Sequence, residues 1–147
     1  MIQNILIVCI GNICRSHMAE AFFAAKLQFI SPAVSVNSAG LGALVGRSAD
    51  SQVQTLLSMR GLDITNHRAR QVTSDILLSS DLILTMDTEQ CDQLRFQYPS
   101  TCGRVHRIGK WGDHEVMDPF KRPRSVLEHV MTLIDQSVDE WCNRLWS

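Results

Sequence analysis

The segment from Cys9 to Ser16 holds the first residues whose types and spacing suit chemistry, and it reads Cys-Ile-Gly-Asn-Ile-Cys-Arg-Ser. A cysteine at the end of an apolar run is followed six residues later by Arg15, where a helical pattern begins. Gly11 and Asn12 tolerate the backbone angles that turn successive N–H groups toward one point. Such a nest at the positive end of a helix binds anions. The segment therefore predicts a phosphate site.

Two side chains of this phosphate loop would act on a bound phosphate. Arg15 offers a planar guanidinium that binds two phosphate oxygens at once, which a lysine cannot reproduce. The same positive environment would stabilise a thiolate at Cys9, and the thiolate is the nucleophilic form of cysteine. The loop thus predicts a nucleophile beside an anion cradle. The other residues expected to form the cradle are Ile10, Gly11, Asn12, Ile13, Cys14 and Ser16.

Other interpretations of this segment are weaker. Taken singly, Cys9 would more often be a buried strand-end cysteine and Arg15 a surface helix residue. Their shared context of strand, turn and helix favours the anion site instead. Cys9, Cys14 and His17 are a conceivable set of zinc ligands, but a structural zinc site needs four ligands and this spacing matches no familiar cluster. We therefore expect neither a metal nor a cofactor.

A carboxyl group able to donate a proton follows far downstream, at Asp118. Pro119 biases Asp118 toward an extended backbone and fixes part of the segment 110–123, which would bring the carboxyl over the anion site. An Asp-Pro pair alone is more often an ordinary turn. With a phosphate loop upstream, Asp118 is interpreted as a general acid.

These residues must be positioned by the elements around them, and strands and helices alternate along the chain. The apolar run from Ile5 to Ile10 predicts a strand buried on both faces, and a helix is expected from Ser16, as its N-cap, to about Phe29. Ser125 and Glu128 form a capping-box pattern before the last helix. Further strands are predicted at 34–38, 81–86 and 105–108, and further helices at 50–60, 88–96 and 126–146.

This alternation predicts an α/β fold. We expect a single three-layer domain over residues 1–147, with a mainly parallel, twisted sheet of about four strands and helices on both faces. In such sheets ligands bind beyond the carboxyl ends of the strands. The phosphate loop, which follows the first strand, would lie at that edge.

Composition excludes several classes of partner. The net charge of −1 gives no broad basic surface for nucleic acid or anionic membranes. The apolar run near the N-terminus is too short for a signal peptide or a membrane span, so we expect a cytoplasmic protein without membrane insertion. Five cysteines, an odd number, fit a reducing compartment better than a disulfide framework.

The motifs resemble those of the low-molecular-weight protein tyrosine phosphatases along the whole chain. Beside the phosphate loop, the family's order is matched at Ser38-Ala39-Gly40, His67-x-Ala69-Arg70-Gln71, Leu84-Thr85-Met86-Asp87 and Asp118-Pro119-Phe120. The resemblance implies metal-independent hydrolysis of protein phosphotyrosine through a cysteinyl-phosphate on Cys9. It also implies a support network that holds the loop open, formed by Asn12, Ser16, Ser38 and His67.

Within the family, the segment 38–46 resembles a bacterial branch that acts on tyrosine autokinases of capsule and exopolysaccharide export. The implied partner is therefore a phosphotyrosine protein of that kind. Leu44 would replace the tryptophan of animal members as one wall of the cleft, facing Phe120. Two positions depart from the family pattern: His17 stands where many relatives have proline, and Phe120 stands where tyrosine is usual.

Three alternative functions remain open. A thiol-dependent arsenate reductase shares this fold and loop but needs a close cysteine pair, whereas Cys91 and Cys102 are eleven residues apart. Protein arginine phosphatases carry threonine at the position of Ile13, so the apolar side chain favours tyrosine. A non-catalytic phosphate-binding or thiol-sensing module would keep Arg15 but would need no acid.

A redox role is a further hypothesis for the phosphate loop. Cys14 lies five residues from Cys9, so peroxide would produce a Cys9–Cys14 disulfide that protects the nucleophile from overoxidation. A packed loop cysteine is an equally good interpretation of Cys14.

Overall fold

The computed structural model describes residues 1–146, which form one parallel four-stranded sheet covered by helices. The strands are β1 (Asn4–Cys9), β2 (Ser35–Gly40), β3 (Leu82–Thr85) and β4 (Val105–Arg107), in the spatial order β2-β1-β3-β4. The helices are α1 (Arg15–Ile30), α2 (Ser51–Ser58), α3 (Ser74–Leu78), α4 (Thr88–Gln97) and α5 (Arg124–Trp146). Short 3-10 helices occur at Pro99–Arg104 and Lys110–Gly112. The predicted α/β fold is confirmed.

β1 lies inside the sheet and divides the core into two layers. Successive side chains of a strand point to opposite faces. Ile5 and Ile7 therefore pack in a cluster with apolar residues of α1, α2 and α5. Leu6 and Val8 pack on the other face, in a cluster with residues of α3 and α4. Burial on both faces explains why this strand is a continuous apolar run.

The sheet register gathers the loops of interest at one edge. Cys9 at the end of β1 pairs with Gly40 at the end of β2, and Val8 pairs with Thr85 at the end of β3. Because all these strands are parallel, the three following loops leave the sheet on the same side. The phosphate loop emerges between the other two, since β1 lies between β2 and β3.

Two predicted helix starts are wrong. α1 begins at Arg15 with Cys14 as the N-cap, so Ser16 lies in the first turn. Its hydroxyl contacts the Cys9 sulfur and is not a cap. α5 begins at Arg124, so Ser125 also lies within the first turn and the predicted capping box does not form there.

The other elements lie near their predicted positions. The helix predicted at 50–60 is α2, and Asp50 caps it, because its carboxylate accepts from the backbone N–H groups of Gln52 and Val53. α3 was not predicted, since a five-residue helix is too short to show a periodic pattern; its Thr73 cap accepts from the Ile76 N–H group. No helix within residues 1–146 has the length and apolar character needed to cross a membrane.

At Gly40, the end of β2 lies against the backbone of the phosphate loop. A Cβ atom on this residue would overlap the carbonyl oxygen of Ile10 and lie 3.1 Å from the Cα of Ala43. The same carbonyl accepts a hydrogen bond of 3.0 Å from the Gly42 N–H group, so it cannot move away freely. Both obstacles are backbone atoms, which explains the need for glycine.

We expect Gly40→Ala to lower the free energy of unfolding by about 1–3 kcal/mol, because the added methyl group meets backbone and not a flexible side chain. Urea denaturation followed by circular dichroism measures the change. Gly103→Ala is the matched control, since a Cβ there meets nothing within 4 Å. Equal midpoints for the two variants would contradict the proposed close approach.

Candidate active site

A cleft of about 210 Å³ lies at the carboxyl edge of the sheet. Its walls come from the phosphate loop, the loop after β2 and the segment before α5. The lining residues are Cys9, Ile10, Gly11, Ile13, Cys14, Arg15, Gly42, Leu44, Asp118 and Phe120. The structure thus brings together the candidate nucleophile, arginine, acid and both candidate walls, although they come from distant parts of the sequence.

Asn12 holds the phosphate loop in shape. Its φ of 57° is in the left-handed region, which asparagine tolerates better than most residues, and its side chain is fully buried. The amide nitrogen donates to the hydroxyl oxygens of Ser16, at 2.8 Å, and Ser38, at 3.0 Å. The amide oxygen accepts from the Arg70 backbone N–H group at 2.9 Å. One side chain therefore connects the loop with α1, β2 and the segment around residue 70.

The Cys9 sulfur lies at the bottom of the cleft, where the residue is only 3% exposed. Its Sγ is 3.0 Å from Ser16 Oγ. As a thiol, Cys9 donates its S–H hydrogen to that oxygen; once the thiol is ionised, the Ser16 hydroxyl donates to the sulfur instead. A hydroxyl oriented in this way stabilises a thiolate better than a thiol.

Arg15 is fixed by contacts on its outer side. Its Nη1 donates to the Val116 carbonyl at 2.9 Å and lies 3.8 Å from an oxygen of Asp87. Val116 is itself held by a backbone hydrogen bond to Met86 at 2.9 Å. The guanidinium is nearly buried, and these contacts leave its other N–H groups available to an anion in the cleft.

Asp118 and Phe120 form the outer part of the cleft. The Asp118 carboxylate is exposed and accepts from the Phe120 backbone N–H group at 3.0 Å, while Pro119 between them is buried. Phe120 is 56% exposed and Leu44 is 41% exposed. Two apolar side chains at the rim suit an aromatic ring that enters between them.

Ser38 and His67, the other predicted support residues, lie behind the loop. Ser38 accepts from Asn12 and donates to Glu20 Oε1 at 2.5 Å. His67 does not contact the loop hydroxyls; its Nδ1 lies 3.8 Å from the same Glu20 oxygen. Burial raises the pKa of Glu20.

Three residues around the site were given no role from the sequence: Glu20 was not named, and Arg70 and Asp87 were named only as parts of matched motifs. Only Glu20 had a local signal, because it is four residues after Ser16 and lies on the same face of α1. Asp87 and Arg70 reach the site through tertiary pairing, which no spacing in the sequence reveals.

The cysteines in and near the site are free thiols in this structure. Cys14 lines the cleft with Cys9, and burial, with a further contribution from Asp50, raises the pKa of its thiol. Cys91 is buried against Thr85 and Cys102 is exposed. The Cys9–Cys14 disulfide stays a prediction.

Known proteins resemble this chain over nearly its full length. Residues 4–147 match the family described as low molecular weight phosphotyrosine protein phosphatase. The chain is 40% identical over 145 residues to the probable low molecular weight protein-tyrosine-phosphatase EpsP of Ralstonia nicotianae, covering 99% of this chain and 97% of that protein.

Two solved structures are similar over nearly the full length. The tyrosine phosphatase AmsI of Erwinia amylovora has a TM-score of 0.92 and 37% identity, covering 99% of this chain and 94% of that chain. The tyrosine phosphatase Wzb of Escherichia coli K30, in complex with sulphate, has a TM-score of 0.92 and 32% identity, covering 99% of both chains. With these matches, the chain belongs to the low molecular weight protein-tyrosine-phosphatase family.

Proposed function

We propose that this phosphatase hydrolyses phosphotyrosine through a cysteinyl-phosphate on Cys9. The supporting observation is the convergence of Cys9, Arg15 and Asp118 on one cleft, with the sulfur at its bottom and the carboxylate at its rim. A substrate that spans this cleft would have its phosphorus near the sulfur and its ester oxygen nearer the carboxyl group.

In the first step the Cys9 thiolate attacks phosphorus, and the S–P bond forms as the bond to the phenolic oxygen breaks. Arg15 and the loop N–H groups bind the equatorial oxygens, whose charge must be stabilised in the transition state. The phenolate has a conjugate acid with a pKa of about 10, so it leaves more easily with a proton. Asp118 in its acid form donates that proton.

In the second step water hydrolyses the cysteinyl-phosphate. The Asp118 carboxylate takes a proton from the water as its oxygen attacks phosphorus, and the S–P bond breaks to release inorganic phosphate. The Ser16 hydroxyl, 3.0 Å from the sulfur, stabilises the thiolate that leaves. Arg15 and the loop amides supply the positive charge in both steps, so neither step needs a metal.

The cleft walls favour an aromatic phosphoester. Cys9 is nearly buried whereas Leu44 and Phe120 are at least two-fifths exposed, so the phosphate must reach below the rim. A phenyl ring has the length and flat apolar faces for this, while serine and threonine side chains are short. Ile13 adds a further apolar wall, which favours tyrosine over the charged guanidinium of phosphoarginine.

For the protein substrate, we propose a bacterial tyrosine autokinase that controls capsule or exopolysaccharide export. The resemblance of the segment 38–46 to that branch supports this partner. Exposed apolar and basic side chains also surround the cleft: Val45 is 68% exposed, Lys121 lies over the Phe120 ring at 5.4 Å, and Arg122 follows it at the surface. A phosphorylated, anionic kinase segment would be attracted to such a rim.

Cys9→Ser is expected to lower kcat/KM on a phosphotyrosine peptide by at least about 10⁴-fold, because it removes the nucleophile. Asp118→Asn keeps the shape but cannot donate a proton, so a loss of about 10²- to 10⁴-fold is expected. Both are measured with EDTA present, which should leave the wild-type rate unchanged.

Two matched controls accompany these variants. Cys102→Ser changes an exposed thiol and Asp113→Asn changes an exposed carboxylate, and neither lines the cleft. Both should retain wild-type activity. If the folded wild type turned over phosphoarginine or arsenate but not phosphotyrosine, the proposed substrate class would be wrong; turnover of none of the three would favour a binding module.

Asn12→Gly tests the network behind the loop. Glycine accepts the left-handed backbone of this position but loses the bonds to Ser16, Ser38 and Arg70. We expect kcat to fall by about 10²-fold through misplacement of the loop, with circular dichroism unchanged. Wild-type kcat in this variant would show that the amide does not position the site.

Deletion of the gene in its host is expected to raise tyrosine phosphorylation of the exporter kinase, because the proposed hydrolysis would be lost. Immunoblotting of the purified kinase measures this. Complementation with the wild-type gene should reverse the effect, and complementation with Cys9→Ser should not. An unchanged phosphorylation level would count against this kinase as the substrate while leaving the peptide activity untouched.

A further inference from the structure

A second cleft, of about 520 Å³, lies between α1 and the segment 62–67. It shares no lining residue with the cleft that holds Cys9. Three residues with metal-ligating side chains line it together: His17, Glu20 and His67. One donor atom from each lies within 4.8 Å of the other two. None of the three has a role in the proposed reaction at the phosphorus atom.

His17 is prepared for metal binding by its hydrogen bond on the other side of the ring. Its side chain is 1% exposed, and Nε2 is in contact with the carbonyl oxygen of Asn12. A carbonyl only accepts, so Nε2 carries the hydrogen and Nδ1 carries the lone pair. Nδ1 is buried and has no hydrogen-bond partner among residues 1–146. A buried nitrogen of this kind requires an explanation.

His67, which packs against His17, also has a buried ring nitrogen without a hydrogen-bond partner in the described part of the chain. This nitrogen is Nε2, and the two imidazole rings meet edge to face. Burial lowers the pKa of His17 to about 3 and that of His67 to about 4. The neutral imidazole, in which one nitrogen carries a lone pair, is the form that binds metals.

Glu20 supplies a carboxylate beside the two imidazoles. It is one helical turn from His17 on α1, and its Oε1 lies 3.8 Å from His67 Nδ1. The Ser38 hydroxyl donates to this oxygen and orients the group. Arg70 is near enough to favour the charged carboxylate, although burial opposes it more strongly. A cation bound directly to Glu20 would offset that cost of burial.

We propose that His17, Glu20 and His67 form a binding site for a divalent transition metal, with Zn²⁺ as the best fit. Two imidazoles and one carboxylate are a common zinc ligand set, and the fourth position would face water in the cleft. Bonds of about 2.0–2.2 Å place tetrahedral ligands about 3.4 Å apart, so the donors would approach one another by small side-chain rotations.

The proposed site is joined to the phosphate loop through its outer hydrogen bonds. His17 contacts the Asn12 carbonyl, and Glu20 accepts from Ser38, which in turn accepts from the Asn12 amide. Such outer partners orient metal ligands. A bound metal would therefore brace the loop from behind without entering the reaction, and its presence does not depend on the proposed function.

The site is tested by isothermal titration of the full chain with ZnCl₂ in a Cys9→Ser, Cys14→Ser, Cys102→Ser background, which removes the cleft and surface thiols. We expect one equivalent to bind. Glu20→Gln, which keeps an acceptor for Ser38, should weaken binding by at least about 10-fold. His17→Pro should do the same, and proline is tolerated in the first turn of a helix.

His129→Ala is the matched control, because this exposed histidine lies on α5 outside the second cleft. It should bind zinc as tightly as the background protein. Loss of binding on removal of the three thiols, or equal affinity in Glu20→Gln and the background, would overturn the proposal.

A second measurement in the same triple Cys→Ser background keeps all five histidines and Glu20, so it avoids any effect of the ligand variants on folding. The imidazole nitrogen resonances of His17 and His67 should shift with one equivalent of ZnCl₂, while those of His129 stay in place. Shifts confined to other histidines, or no shift at all, would refute the site.

Discussion

The active site depends on the buried amide side chain of Asn12. A loop whose N–H groups converge on one point has no internal partner for them, so its shape must be imposed from outside. The Asn12 side chain does this with three hydrogen bonds, and its left-handed backbone turns the chain at the same residue. Loop, helix and neighbouring strand are thereby held in one arrangement.

The proposed nucleophile and arginine are held in place by different parts of the structure from the proposed acid. Cys9 and Arg15 lie at the ends of β1 and α1, where the core and the hydrogen-bond network fix them. Asp118 is held mainly by its own turn, with buried Pro119 as the anchor. This division suits the two tasks: the phosphate must be aligned closely with the sulfur, whereas the acid must serve first the leaving group and then water.

Much of this arrangement could be predicted from the sequence because its signals are local. An apolar run, a glycine–asparagine turn and an arginine at a helix start identified the strand and the loop, and they predict an anion site there. The errors concerned helix starts: Ser16 and Ser125 looked like helix caps, but each lies in the first turn of its helix, and Ser16 contacts the Cys9 sulfur. The cluster of His17, Glu20 and His67 escaped notice because only two of its members share a helix.

Asp87 connects catalysis and folding in a single carboxylate. One of its oxygens caps α4 by accepting from the Gln90 N–H group at 2.8 Å, while the other lies 3.8 Å from Arg15. Any substitution here alters a helix end and the surroundings of the Arg15 guanidinium together. A substitution of Asp87 that changes the stability of α4 therefore also changes the electrostatic environment of Arg15. The two properties cannot be tuned separately at this position.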